Sequence, residues 1–178
     1  MVSRSRAKSG TFFLRDSVIS DTTTFVSSST DISSFVNPLE GELLKIKQIW
    51  WEWGTDGGGP ILGADVGTSK GCSAFASVST DSRSVVGSFT NNDIVSVNTL
   101  YAHSDSNTDI DMITNSTSVN PADLEDGFLV ATDAIYLNID QSADSFAANI
   151  NASVMMECEI VKLSLSDAQA VLVSQTVG

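Results

Sequence analysis

Histidine and cysteine, the residues on which proton-transfer and metal chemistry most often draw, are nearly absent from this sequence. There is one histidine, His103, and there are two cysteines, Cys72 and Cys158, in 178 residues. Two distant cysteines make no disulfide framework, and neither has partners at the short spacing of a zinc site. Both lie in apolar, strand-like segments and read as buried free thiols, with a disulfide between them left open. A Ser-His-Asp or Cys-His arrangement would have to be built around His103, which leads into a polar loop and reads as a surface residue.

Charge is also scarce. Asp, Glu, Lys and Arg make up 17% of the chain, against about 25% in ordinary globular proteins. No apolar run reaches the ~18 residues that span a bilayer. The N-terminal stretch has a positive flank but lacks the apolar segment of a secretory leader, so no leader is expected. The glycine-rich stretch from Gly54 to Gly71 contains Ser69-Lys70 but not the order of a phosphate-binding loop, and it reads as a mobile loop. Carboxylates are numerous, yet a glycosidase needs two at a set separation in a sugar-binding cleft, and no spacing signals that. No catalytic site is expected, and the protein reads as a non-enzyme.

What is present favours β structure. Hydrophobic residues make up 42% of the chain, and its polarity comes largely from 28 Ser and 15 Thr, which suit strands and turns better than helices. Alternation is clearest over 148–163, where Ile150, Ala152, Val154, Met156, Cys158 and Ile160 share one face and polar residues the other. In 41–53, Leu44 and Ile46 have one parity and Ile49, Trp51 and Trp53 the other, which points to a β-bulge near Gln48 or to a strand that passes between environments. Further strands are expected at 10–19, within 21–34, and at 72–79, 84–90, 93–102 and 127–139. Residues 103–126 read as a long polar loop, functional or at an interface, with a helical turn near Ala122–Glu125. The spacing Ser166-x-x-Gln169 predicts a capped terminal helix, with an edge strand as the competing reading. About eight strands with little room for crossover helices imply an all-β, antiparallel sandwich or barrel.

Four side chains or segments stand out as candidate sites. Arg4, Arg6, Lys8 and Arg15 make the first fifteen residues wholly basic, whereas residues 16–178 carry five basic and 22 acidic side chains. The body should repel nucleic acid while the arm can contact phosphate. Asp105, Asn107, Asp109 and Asp111 place oxygen ligands at alternate positions, a pattern suited to calcium, although the turn glycine and closing glutamate of an EF-hand are missing. Trp50, Trp51 and Trp53 suit core packing, an interface or a sugar-stacking platform. Asn115-Ser116-Thr117 and Asn151-Ala152-Ser153 match the glycosylation acceptor pattern but lack a leader to give it meaning.

A basic arm, an acidic β body and long polar loops together resemble the layout of single jelly-roll capsid proteins of small icosahedral viruses. The resemblance covers the whole chain as architecture, and the arm is shorter and less charged than that layout calls for. It implies a flexible arm over 1–9 followed by one eight-stranded jelly-roll domain over 10–178. It further implies a coat protein that self-assembles into a closed shell, found in the virion and assembled inside the host cell. Arg4, Arg6 and Lys8 would face packaged nucleic acid, and Trp50, Trp51 and Trp53 would lie at subunit interfaces. A filament or surface-layer subunit and a carbohydrate-binding module are the alternatives.

Overall fold

The structure is a computed structural model that describes residues 6–20, 24–67, 70–105, 110, 112–141 and 146–176. Among these are ten strands: β1 Arg6–Ala7, β2 Phe12–Ile19, β3 Val26–Asp31, β4 Glu42–Thr55, β5 Lys70–Ser79, β6 Ile94–Ser104, β7 Met112–Val119, β8 Phe128–Val130, β9 Ala134–Gln141 and β10 Ile150–Lys162. A one-turn helix α1 (Gly63–Val66) and a C-terminal helix α2 (Leu165–Thr176) complete the fold, with 3-10 turns at Pro38–Glu40 and Pro121–Asp123.

The strands form two antiparallel sheets. The first runs β1-β10-β4-β8, with β2 alongside β10 as well; the second runs β3-β9-β5-β6-β7. The pairing is nested: β2 with β10, β3 with β9, β4 with β8 and β5 with β6. Strands early in the chain thus pair with strands late in it, and each sheet draws on both halves of the sequence.

Alternation puts one face of each sheet in the core. From β4 and β10, Leu44, Ile46, Ile49, Val154, Met156 and Cys158 meet Val78, Leu137 and Ile139 of the second sheet in the main cluster. Fully burying each large side chain contributes roughly 1.5–3 kcal/mol relative to leaving it exposed. A smaller cluster holds Ile61, Val66, Cys72, Leu100, Phe146 and Ile150, and Trp53 packs against both. The bulge expected near Gln48 is present. Glu157 pairs with Gln48 and Cys158 with Ile46, so Lys47 has no partner of its own. That one extra residue lets Leu44 and Ile46, and beyond it Ile49, Trp51 and Trp53, all contribute to the core despite their change of parity.

Several expectations give way. Residues 84–90 form no strand; they lie in a loop whose base is tied by Arg83 to Asp93, the Arg83 Nε reaching Asp93 Oδ2 at 2.6 Å. The 103–126 stretch is not one loop, because it contains β7 and a 3-10 turn at Pro121–Asp123. The 127–139 segment is two strands, β8 in the first sheet and β9 in the second. The chain changes sheets between them, and the Gln175 amide of α2 replaces the missing ladder there: it accepts from Ala131 N at 3.0 Å and donates to Leu129 O at 2.5 Å. The C-terminal segment is helical, capped by Ser164, whose Oγ accepts from Asp167 N at 3.2 Å, two residues before the serine that the sequence pattern suggests. The described part of the arm is held in place: β1 pairs Arg6 with Lys162 and Ala7 with Val161, and Lys8 N donates to Ile160 O at 2.7 Å.

Candidate functional site

The outward face of the first sheet is built by the same alternation that fills the core. Phe12, Leu14 and Val18 of β2 belong to the main cluster, so Phe13, Arg15 and Ser17 turn to the opposite face. Pairing across β2, β10 and β4 sets these residues in rows: Phe13 beside Glu157 beside Gln48, Arg15 beside Met155 beside Trp50, and Ser17 beside Ser153 beside Glu52. Phe13 and Trp50 approach with ring centroids 6.3 Å apart at an interplanar angle of 47°. Around them lies a shallow depression lined by Arg15, Ser17, Trp50, Glu52, Ser153 and Met155. Phe13 is 47% and Trp50 38% exposed, so the face offers two aromatic rings, a thioether and one charge of each sign to whatever meets it.

Toward the other end of the same face the charges pair off. Lys47 Nζ lies 2.5 Å from Glu157 Oε1 and Lys45 Nζ 3.5 Å from Glu159 Oε1. Glu42 is shared by Lys8 and Lys162. The hydrogen bond from Lys8 holds the Glu42 carboxyl below the usual carboxylate value, and the bond to Glu157 holds the Lys47 ammonium above its own. Exposed pairs of this kind stabilise little, about 0–1 kcal/mol each, but they neutralise much of the chain's sparse positive charge.

The three tryptophans separate. Trp50 faces outward, whereas Trp51 and Trp53 cross the sandwich. The Trp51 indole N–H donates to Ser96 Oγ at 3.1 Å, and that of Trp53 to Asn98 Oδ1 at 2.7 Å. Asn98 is fully buried and passes the connection on to β7, its amide donating to Asn115 Oδ1 at 2.9 Å and Thr117 Oγ1 at 2.8 Å. Asn120, just past β7, accepts from Ile49 N at 3.2 Å and donates to Ile49 O at 2.7 Å. Strand β7 is therefore pinned to the first sheet by side chains while remaining exposed from Met112 through Ser118.

Of the arm residues, Lys8 is in the ion pair with Glu42; Arg4 and the side chain of Arg6 lie outside the described residues. Of the calcium candidates, Asn107, Asp109 and Asp111 lie outside the described residues. Asp105 is described, with His103 Nε2 3.9 Å from its Oδ1. Among the described residues no group of three or more His, Cys, Asp or Glu side chains is gathered as a metal site would require. The glycine-rich stretch closes a tight turn, Gly58 N donating to Thr55 O at 2.9 Å with Gly58 at φ +76°, a backbone region that glycine enters without strain. Cys72 and Cys158 form no disulfide and are buried in separate clusters. Burial pushes the Cys158 thiol up to about 12.

Sequence reasoning missed Phe13, Arg15 and Met155 as partners of Trp50. The two-residue period of 12–19 carried that signal, since it splits the segment into a core set and this outward set. It also missed the Arg83–Asp93 pair, for which no local pattern exists. Among the described residues no helix is long and apolar enough to cross a membrane. No protein-family model matches the chain, and no curated protein matches it.

Proposed function

We propose that the protein is a coat subunit that self-assembles into a closed icosahedral shell. The observation that carries this reading is the nested strand pairing. With β1 and β7 set aside as additions, the remaining eight strands pair first with last, second with seventh, third with sixth and fourth with fifth. This order, with β2-β10-β4-β8 in one sheet and β3-β9-β5-β6 in the other, supports reading the sandwich as a jelly roll. A shell subunit needs a rigid body with several surfaces for like copies. The aromatic outer face around Trp50 and the exposed β7 are two such surfaces. In this reading Arg4, Arg6 and Lys8 face packaged nucleic acid, the protein resides in the virion, and calcium bound near Asp105 strengthens contacts between subunits.

One fold serves many functions, so the test is assembly itself: negative-stain electron microscopy and light scattering on the purified chain, with and without calcium. Uniform closed particles are expected. Filaments would transfer the assignment to an open polymer, and a monomer under every condition would remove both assembly readings.

A second reading, a carbohydrate-binding module, is favoured by a separate observation. Asn151 lines a depression with Glu52, Trp53 and Gly59, beside the one that Trp50 lines, and its buried Oδ1 has no hydrogen-bond partner among the described residues. Sugar hydroxyls donate to such acceptors and sugar faces stack on indole. Quenching or a blue shift of tryptophan fluorescence on titration with glycans, lost in Trp50→Ala, would support this reading; no response across a glycan panel would end it.

A further inference from the structure

We infer that β7 is a homotypic pairing edge, at which a second copy of this chain adds its own β7 antiparallel across a two-fold axis. The inference deepens the self-assembly reading and rests on it for the identity of the partner.

β7 pairs with β6 on one side, and no described strand lies on the other. It has eight residues, Met-Ile-Thr-Asn-Ser-Thr-Ser-Val, none of them charged and none proline. Folded proteins blunt exposed edges with lysine, proline, brevity or a covering element, because a free row of N–H and C=O groups templates pairing with another chain. The other edges of this sandwich are blunted in those ways. β8 has three residues and is braced by Gln175 of α2. β2 carries Arg15 and Asp16, and the hydroxyls of Ser28 and Thr30 in β3 donate to Asp16 Oδ2 at 2.7 and 3.0 Å, so these two edges engage each other. β7 carries no charge or proline, is eight residues long and is covered by no element among the described residues, and Met112 and Ile113, 46% and 49% exposed, add apolar surface to it.

The strand is also pre-shaped for a partner. Its register with β6 is regular from Met112 to Thr117, and Asn98 anchors Asn115 and Thr117 from the buried side. Little further ordering would be needed on association, which lowers its cost.

Charge selects the occupant and its direction. The chain carries a net charge of −13, so copies repel at most surfaces, and an uncharged edge is where they can approach. Asp105, its side chain 79% exposed, follows the end of β6 beside the start of β7. Parallel addition would bring the two copies of Asp105 together, whereas antiparallel addition sets them at opposite ends. The self-complementary arrangement is therefore an isologous two-fold, and its small area makes it a weak contact, as suits one of several contacts in an assembly.

The test uses the full chain and the variant Thr114→Glu with Ser116→Glu, which puts like charges opposite each other across the two-fold. Hydrogen exchange of the 112–119 segment is followed against protein concentration, with light scattering for mass and thermal melting at low concentration for fold. The wild type is expected to show protection of this segment that grows with concentration, together with a dimer or larger species. The variant is expected to melt at the same temperature but to need at least about tenfold higher concentration to associate. If particles form in both proteins while the 112–119 amides stay unprotected, the β7 inference is overturned and the assembly reading stands. A wild type that remains monomeric throughout overturns both.

Discussion

The indole N–H of Trp53 donates to the side-chain oxygen of Asn98 across the sandwich at 2.7 Å. Asn98 in turn holds Asn115 and Thr117 of β7, so one buried amide couples the strongest strand of the first sheet to the exposed edge of the second. Each group in the chain is satisfied by the next, and loss of either end leaves a buried polar atom without a partner.

Trp53→Phe keeps much of the packing but strands Asn98 Oδ1, so a loss of about 1–3 kcal/mol is expected. Trp53→Ala also opens a cavity and should cost about 3–5 kcal/mol. Trp50→Ala, on the outer face, should stay within about 0.5 kcal/mol of wild type. Urea denaturation midpoints of the three variants check this, and an equal loss at Trp50 would contradict the assigned orientation.

Arg83→Ala removes the partner of Asp93, whose side chain is 3% exposed. An uncompensated buried carboxylate costs about 3–5 kcal/mol, and the 80–93 loop should open with it. Limited proteolysis would then cut near Val85 and Phe89 well before the rest of the domain. A variant as resistant as wild type would show that the pair does not hold the loop.

Acid should weaken the domain partly through Glu42. Its folded value is lowered from 4.5, first by the hydrogen bond from Lys8 and opposed by burial. A depressed carboxylate contributes stability that is fully present above its unfolded value and is lost as pH falls through the folded one. Melting temperature should therefore fall more steeply below pH 4.5 in wild type than in Lys8→Gln. Parallel curves would remove Glu42 from the acid response.

Cys158 predicts the opposite limb. Burial raises its thiol from 9.0 to about 12, so the folded state keeps the proton where the unfolded state releases it. Its contribution is fully present below pH 9 and is lost between pH 9 and 12. At neutral pH a thiol reagent should titrate Cys158 only after denaturation, and rapid labelling of the native protein at this residue would show the site to be open.

Much of this architecture was legible in the residues themselves. The alternation over Ile150–Ile160 marks β10, and the parity change between Ile46 and Ile49 marks the bulge at Lys47. Period-two patterning also separates Phe13 and Arg15 from Phe12 and Leu14. β7 escaped because Ser, Thr and Asn on both faces leave no apolar alternation to read. Residues 84–90 misled for the opposite reason: Val85, Val86 and Phe89 look like a strand, but Arg83 and Asp93 close the segment into a loop and leave Val85 and Phe89 exposed.

The sequence by itself determined that the chain is β-rich, where most strands run and which side chains of each strand share a face. These follow from steric preferences and burial acting over a few neighbouring residues. Only the tertiary structure decided that β2 lies against β10, that Trp53 reaches Asn98 while Trp50 turns outward, and that β7 is left as an edge. The β2–β10 and β3–β9 pairings join residues more than a hundred positions apart, and their free energy comes from the fit of two whole faces, which no local pattern encodes.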